Sequence, residues 1–382
     1  MNKPLRLLTI IGARPQIIKA AALSRAIAGA FSERIEEIIL HTGQHYDKGM
    51  SQVFFDQLGI PQPHVQLDAG SASHGVQTAR MLEGIEKAIM DQRPDVLLIY
   101  GDTNSTVAGA LAAAKLHVPV AHVEAGLRSF NKAMPEEVNR IMSDHCSTWL
   151  FCPTRTAVQN LQREGFSSDR KGKASADHPH VILSGDVMYD NSLHFAAIAE
   201  QRTSILGDLS LQADRYFLAT IHRPANTDDP ARLENILGAL IAIQAEHDLP
   251  VVLPLHPRTR AKLESSSPEL LERIGMIDRF HLIPPVGFLE MTALERNARL
   301  VLTDSGGVQK EAYFFGRPCV ILRAETEWTE LVDQGMAVLA DADQDAIRRS
   351  VKDLMQGNGK VVEGLFGDGR AAEHICTELL RS

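Results

Sequence analysis

Short apolar runs alternate with longer amphipathic stretches along the chain. Strands buried on both faces read as unbroken apolar runs, so this alternation predicts parallel sheets joined by crossover helices. In the first half it predicts strands at Leu5–Ile11, Ile35–His41, Val96–Tyr100, Val118–Val123 and Trp149–Cys152. Helices fall at Pro15–Ala28, Gly75–Asp91 and Asn104–Leu116. Pro15 suits a first helical turn, where its missing N–H costs nothing, and Pro119 falls at a strand start, where Pro is tolerated. A polar, broken stretch, Ser167–His180, reads as a loop leading into a strand at Val181–Leu183. A second α/β series follows, with strands at Tyr216–Ile221, Val251–Leu255, Phe280–Ile283, Leu300–Thr303 and Cys319–Leu322. The tail is a Gly-rich turn and a helix, Ala371–Leu380. The boundary falls between Leu183 and Ser192, giving one domain over residues 1–184, a second over 185–363 and a tail over 364–382.

Composition narrows the function. At 382 residues, 44% hydrophobic and 23% charged, each half can bury its own core. The formal charge of -9, without a dense Lys/Arg block, argues against a nucleic-acid or anionic-membrane partner. No stretch approaches the roughly 20 apolar residues of a membrane span. The start, MNKPLRLLTIIGARP, is broken by Arg14-Pro15 and reads as a first strand, not a signal peptide. Cys146, Cys152, Cys319 and Cys376 form no C-x-x-C pair or zinc spacing, and no H-x-x-x-H zinc helix is present, so no metal is expected. Neither G-x-G-x-x-G nor G-x-x-x-x-G-K-[ST] occurs, which leaves a dinucleotide dehydrogenase or a P-loop ATPase unsupported. These features fit a soluble protein of a reducing compartment.

The chemistry-bearing residues follow the apolar runs, where open α/β sheets bind ligands. Arg14 and Lys19 follow the first strand, Asp102 follows Val96–Tyr100, and Glu124 follows Val118–Val123. A loop then carries Glu136 and Arg140. In the second half the runs deliver His222-Arg223, His256, Arg323 and the turn Asp304-Ser305-Gly306-Gly307, which opens a helix Val308–Phe315. Two glycines and free N–H groups at a helix start suit an anion, Ser305 adds a hydroxyl, and Glu311 can accept from ribose hydroxyls. Alone, such a turn is a common loop and Glu311 a solvated helix residue; Arg14, His222, Arg223 and Arg323 at other strand ends make the pattern specific. Asp102, Glu124 and Glu136 are candidate acid–base groups, because clustered carboxylates raise one another's proton affinity. The competing readings are that Asp102 caps its helix and that Glu136 pairs with Arg140. His222 and His256 stand out among the histidines, with His41, His45, His117 and His122 weaker.

The ordered series GARPQIIKAA, HTGQHYD, YGDTNST, HVEAGLRSF, MPEEVNR, HRPANTDD, LPLHPRTR, LTDSGGVQKEA and FGDGRA resembles the non-hydrolysing UDP-N-acetylglucosamine 2-epimerases over nearly the whole chain. The resemblance implies two Rossmann-like parallel-sheet domains facing a central cleft, as in glycosyltransferase-B proteins, with the tail helix crossing back to the first domain. It also implies a cytoplasmic homodimer that needs no cofactor and takes a UDP-sugar as its partner. The implied reaction removes the carbon-2 proton and expels UDP, then re-adds it to a 2-acetamidoglucal. By that likeness Asp102, Glu124, Glu136 and His222 are catalytic, and Arg14, Lys19, Arg140, Arg223, His256, Ser305, Gly306, Gly307, Glu311 and Arg323 bind substrate. Two departures matter. The first turn reads GARPQ where many UDP-N-acetylglucosamine enzymes have GTRPE, and Tyr46-Asp47 follows Gln44-His45 where the family's regulatory site has Arg and often Gln, which speaks against activation by a second UDP-N-acetylglucosamine. The GARPQ, HTGQHYD and ETEW (Glu325-Thr326-Glu327-Trp328) wording looks closer to a branch acting on UDP-2,3-diacetamido-2,3-dideoxyglucuronate for O-antigen synthesis. UDP-N-acetylglucosamine stays equally open, and a hydrolysing epimerase or a true glycosyltransferase are the rival activities.

Overall fold

The computed structural model of the chain describes residues 3–44, 59–167, 169, 172–357 and 361–381. Contacts divide it into two compact units, Met1–Asn191 with Glu363–Ser382, and Ser192–Val362.

The first unit is built on a seven-stranded parallel sheet. Its strands are β1 (Leu5–Ile11), β2 (Ile35–His41), β3 (Val65–Gln66), β4 (Val96–Tyr100), β5 (Val120–Val123), β6 (Trp149–Cys152) and β7 (His180–Leu183), in the order β3-β2-β1-β4-β5-β6-β7. The second unit has six parallel strands: β8 (Phe217–Thr220), β9 (Val251–Pro254), β10 (Phe280–Ile283), β11 (Leu300–Thr303), β12 (Cys319–Ile321) and β13 (Ala337–Leu339), ordered β10-β9-β8-β11-β12-β13. Each sheet grows outward from its first strand and then returns to that strand's other side. The order therefore reverses at β1/β4, in register at Leu7↔Val96, and at β8/β11, in register at Thr220↔Thr303. Loops leaving the carboxyl ends of such strand pairs diverge and leave a crevice for ligands.

Burial on both faces explains why the apolar runs are continuous. All five residues of β4 are buried, and the helix Asn104–Lys115 that follows is almost wholly buried too. Its small residues let it approach the sheet closely: a Cβ on Gly109 would lie 3.1 Å from Ile99 Cγ2. The helix starts on Thr103, whose hydroxyl accepts from Thr106 N–H, so Thr103 is the cap and not Asp102. β3 and β13 escape the sequence reading because two or three residues carry no periodicity. The first helix, Arg14–Ala26, continues as a π-helical turn, Ile27–Phe31, beyond its expected end at Ala28. Among the described residues no helix is long and apolar enough to cross a membrane, and no cluster of side chains is fit to hold a metal ion. All four cysteines are free thiols.

The helix Val187–Arg202 leads the chain out of the first unit, and the final helix, Ala371–Leu379, belongs to that unit again. Asp190 fixes the start of the final helix by accepting from Ala371 and Ala372 N–H at 3.1 and 2.8 Å. Burial pushes the Asp190 carboxyl up to about 6, with Asp186 adding to the rise and the two N–H donors and Arg25 opposing it. A carboxyl raised in the folded state binds more protons there than in the unfolded chain. Its contribution is therefore full below about pH 4 and is lost as pH rises through about 6. Asp190→Asn should remove this slope. Urea unfolding at pH 4.5 and pH 7 is expected to show the variant gaining on the parent between the two, by up to about 3 kcal/mol. A difference independent of pH would contradict the assignment.

Candidate functional site

At the β1/β4 reversal of the first unit, two carboxylates end adjacent strands, and each pairs with a cation. Lys19, one turn into the first helix, places Nζ 2.7 Å from Glu124 Oε2. It also lies 3.1 Å from where a Cβ on Gly101 would project, and Gly101 has φ +62°, so the turn before Asp102 accepts only glycine without strain. Glu124 itself holds φ +72°, an uncommon conformation for a non-glycine residue and one that clusters at functional sites. Arg140 Nη2 lies 2.6 Å from Asp102 Oδ2, and its Nη1 donates to Glu137 Oε2 at 2.9 Å. Asn139 Nδ2 donates to the Asp102 carbonyl at 2.9 Å.

These contacts divide the carboxylates into roles. Burial pushes the Asp102 carboxyl up; Arg140 and Lys19 restrain it, while Glu124 and Glu136 add to the rise. Burial acts the same way on Glu137 but is outweighed by the Ser129 and Phe130 N–H donors and by Arg140, so Glu137 stays ionised. Burial works against the Arg140 charge too, and Asp102, Glu137 and Glu124 overcome it. Glu137, absent from the sequence candidates, is thus the inner partner of Arg140. Glu136 is exposed in the first turn of the helix Pro135–His145, where a loop was expected, and acts on Asp102 only through its charge. The bland alternatives for Asp102 and Glu136, a helix cap and an Arg140 pair, are both displaced.

At the β8/β11 reversal of the second unit the decisive residue is Asp304, fully buried. Its carboxylate accepts from His222 and Arg223 N–H, the latter at 3.0 Å, and from Asn226 Nδ2 at 3.1 Å. His222 Nδ1 approaches it at 2.9 Å. Burial would raise this carboxyl, but His222, the Arg223 N–H and Asn226 hold it below the usual range. Asp304 therefore faces inward and ties the loop after β8 to the turn after β11, leaving Ser305, Gly306 and Gly307 to open the helix Gly306–Phe314. That helix starts two residues before its expected start, because the Ser305 hydroxyl caps it through Val308 N–H. Glu327 lies against Gly306, and Arg323 pairs with it at 3.0 Å. Thr326 donates to Gln309 at 2.6 Å, and Lys310 stacks 4.1 Å from the Trp328 ring centre. Glu311 is half-buried in the second turn.

The chain matches the family model described as UDP-N-acetylglucosamine 2-epimerase over residues 29–380. The UDP-2,3-diacetamido-2,3-dideoxy-D-glucuronate 2-epimerase of Pseudomonas aeruginosa is 50% identical over 380 residues, which span 99% of this chain and 100% of that protein. The chain belongs to the UDP-N-acetylglucosamine 2-epimerase family. The family's enzymes are isomerases. The crystal structure of Methanocaldococcus jannaschii UDP-GlcNAc 2-epimerase in complex with UDP-GlcNAc and UDP matches at TM-score 0.84 and 38% identity, covering 99% of this chain and 100% of that one. Phytolacca americana UGT2, 13% identical at TM-score 0.65 over 99% of both chains, shares the fold alone. The two Rossmann-like sheets are those of this glycosyltransferase-B-like fold.

Among the expected residues, Lys19, Asp102, Glu124 and Arg140 converge in the first unit, and His222, Arg223 and Ser305 meet around Asp304 in the second. Arg14 opens its helix at the surface. His256 caps the helix Pro257–Ser266 by accepting from Arg258 N–H at 3.2 Å. Gln16 is a strut: its amide donates to the Tyr100 carbonyl and Thr106 Oγ1, each at 3.0 Å. Gln44 braces Ser105 Oγ at 2.8 Å, and His45, Tyr46 and Asp47 lie outside the described residues. Removing the Asp304 carboxylate orphans several buried donors, so Asp304→Ala should cost about 3 kcal/mol in urea unfolding at pH 7. A loss below about 1 kcal/mol would show that the loops hold without it.

Proposed function

We propose that the chain is a non-hydrolysing 2-epimerase of a UDP-linked N-acetylamino sugar, with UDP-2,3-diacetamido-2,3-dideoxy-D-glucuronate as its preferred substrate. The observation that carries the reaction is the pair Asp102 and Glu124 at the ends of adjacent strands, each paired with a cation, with the Asp102 carboxyl pushed toward its protonated form. Such a carboxylate is a stronger base than a solvated one, which suits removal of a weakly acidic carbon-bound proton. The preference among sugars rests on the 50% identity to the Pseudomonas aeruginosa enzyme against 39% to the Methanocaldococcus jannaschii UDP-N-acetylglucosamine 2-epimerase.

In the proposed reaction a carboxylate takes the carbon-2 proton while the bond from carbon 1 to the diphosphate oxygen breaks. The C–H pair forms the carbon 1–carbon 2 double bond, and the bonding pair to oxygen leaves with UDP. A proton then reaches carbon 2 on the opposite face, and the diphosphate oxygen re-attacks carbon 1. Asp102, Glu124 and Glu136 share the abstraction and return of the proton, and His222 assists the departing oxygen. The helix start at Ser305-Gly306-Gly307, with Arg14, Arg140 and Arg223, stabilises the developing diphosphate charge, and Glu311 holds the ribose. The same proposal makes the enzyme a cytoplasmic homodimer serving bacterial surface-polysaccharide synthesis, such as that of O-antigen.

Incubation in heavy water with UDP-2,3-diacetamido-2,3-dideoxy-D-glucuronate or UDP-N-acetylglucosamine should give deuterium at carbon 2 without net UDP release, fastest with the diacetamido uronate. Net UDP accumulation by phosphorus NMR would indicate a hydrolysing enzyme, and transfer to an added acceptor without exchange a glycosyltransferase. Asp102→Asn is expected to slow exchange by at least about 10³-fold while UDP affinity stays within about threefold. Exchange at the parent rate would remove Asp102 from the reaction.

A further inference from the structure

Beneath the acid–base pair lies a buried polar network that the reaction as written does not use. His122, on β5, is fully buried two residues before Glu124. Its Nδ1 lies 2.7 Å from Asp144 Oδ1, and its Nε2 lies 2.7 Å from the Gly101 carbonyl oxygen. The Gly101 carbonyl can only accept, so Nε2 donates to it. Asp144, also fully buried, uses its other oxygen to accept from Arg128 at 2.7 Å and from the Gly126 N–H at 3.2 Å. Arg128 in turn donates to both oxygens of Glu164, at 2.6 and 2.7 Å.

The connections of this network matter more than its charge. The imidazole holds the carbonyl of Gly101, the residue directly before Asp102. Asp144 holds the N–H of Gly126, two residues after Glu124. Asp144 itself lies in the helix Pro135–His145, which also supplies Arg140 to Asp102. One buried pair therefore spans the turn after β4, the turn after β5 and the helix that carries the arginine. Stability alone does not account for it, since buried ion pairs are often no more stabilising than apolar residues of equal volume.

We infer that His122 and Asp144 are positioning residues of the reaction: they fix the separation and aim of the Asp102 and Glu124 carboxylates without touching substrate. This rests on the proposed roles of those two carboxylates. Misplacement of a reacting group by about 1 Å costs on the order of 10²-fold in rate, and this pair ties the backbone just before Asp102 to the backbone just after Glu124.

The test compares His122→Phe and His122→Gln with the parent, using the UDP-sugar that the parent epimerises. The phenyl ring keeps the volume and loses both hydrogen bonds; the glutamine amide can still donate to the Gly101 carbonyl. For His122→Phe we expect kcat and carbon-2 exchange to fall about 10²-fold, with KM and UDP affinity within threefold of the parent. His122→Gln should recover at least tenfold of that loss. A Phe variant with kcat within threefold of the parent overturns the inference. So does a joint fall of kcat, UDP affinity and thermal stability, or a Gln variant no better than Phe. If His122→Phe does not fold, His122→Gln decides against the parent: a roughly tenfold fall in kcat at constant KM supports positioning, and an unchanged kcat overturns it. A parent without carbon-2 exchange removes the proposed function first, and this inference with it.

Discussion

Each sheet reverses its strand order once, and at that point the loops leaving neighbouring strands diverge. Backbone groups there lack the cover that a crossover helix gives elsewhere along the edge. The protein resolves this with buried carboxylates that gather loop N–H groups. Asp304 does so between the loops after β8 and β11, where it accepts from His222, Arg223 and Asn226. Glu137 does so for Ser129 and Phe130, and Asp144 for Gly126. The fixed shape of each candidate site follows from these inward-facing acids more than from the outward-facing ones.

The same acids organise the cations. A protein of net charge -9 has no diffuse positive field with which to hold an anion, so the charge must be local and aimed. Arg140 is set between Asp102 and Glu137, Lys19 faces Glu124, and Arg323 faces Glu327. Such pairing keeps the cations oriented, which is the form of electrostatic stabilisation that costs no reorganisation during a reaction. It also separates the carboxylates by function: Glu137 and Asp304 are held ionised by donors, whereas Asp102 is driven toward its protonated form because burial exceeds what Arg140 and Lys19 restore.

Residues of the motifs quoted from the sequence also brace their own turns. Gln16 braces the Tyr100 carbonyl, Gln44 braces Ser105, and Trp328 stacks on Lys310.

The sequence by itself determined the parallel α/β class and most strand positions. β1, β2, β4, β6, β10 and β11 occupy the spans their apolar runs indicate, because doubly buried strands need unbroken hydrophobicity. It also placed the polar residues at strand ends, since period and turn chemistry are local. The edge strands Val65–Gln66 and Ala337–Leu339 were illegible, being too short for any period. Tertiary structure decided which polar residue meets which. Glu136 and Glu137 are neighbours in sequence, yet only Glu137 is buried against Arg140, because a helix turns successive side chains about 100° apart. Asp304 and Ser305 likewise divide, one inward and one to the helix start. His122 looked like one weak histidine among fifteen until the sheet set it under Gly101 and beside Asp144, which lies 22 residues further along the chain. Long-range pairing of that kind depends on strand order, and strand order is not a local property of the chain.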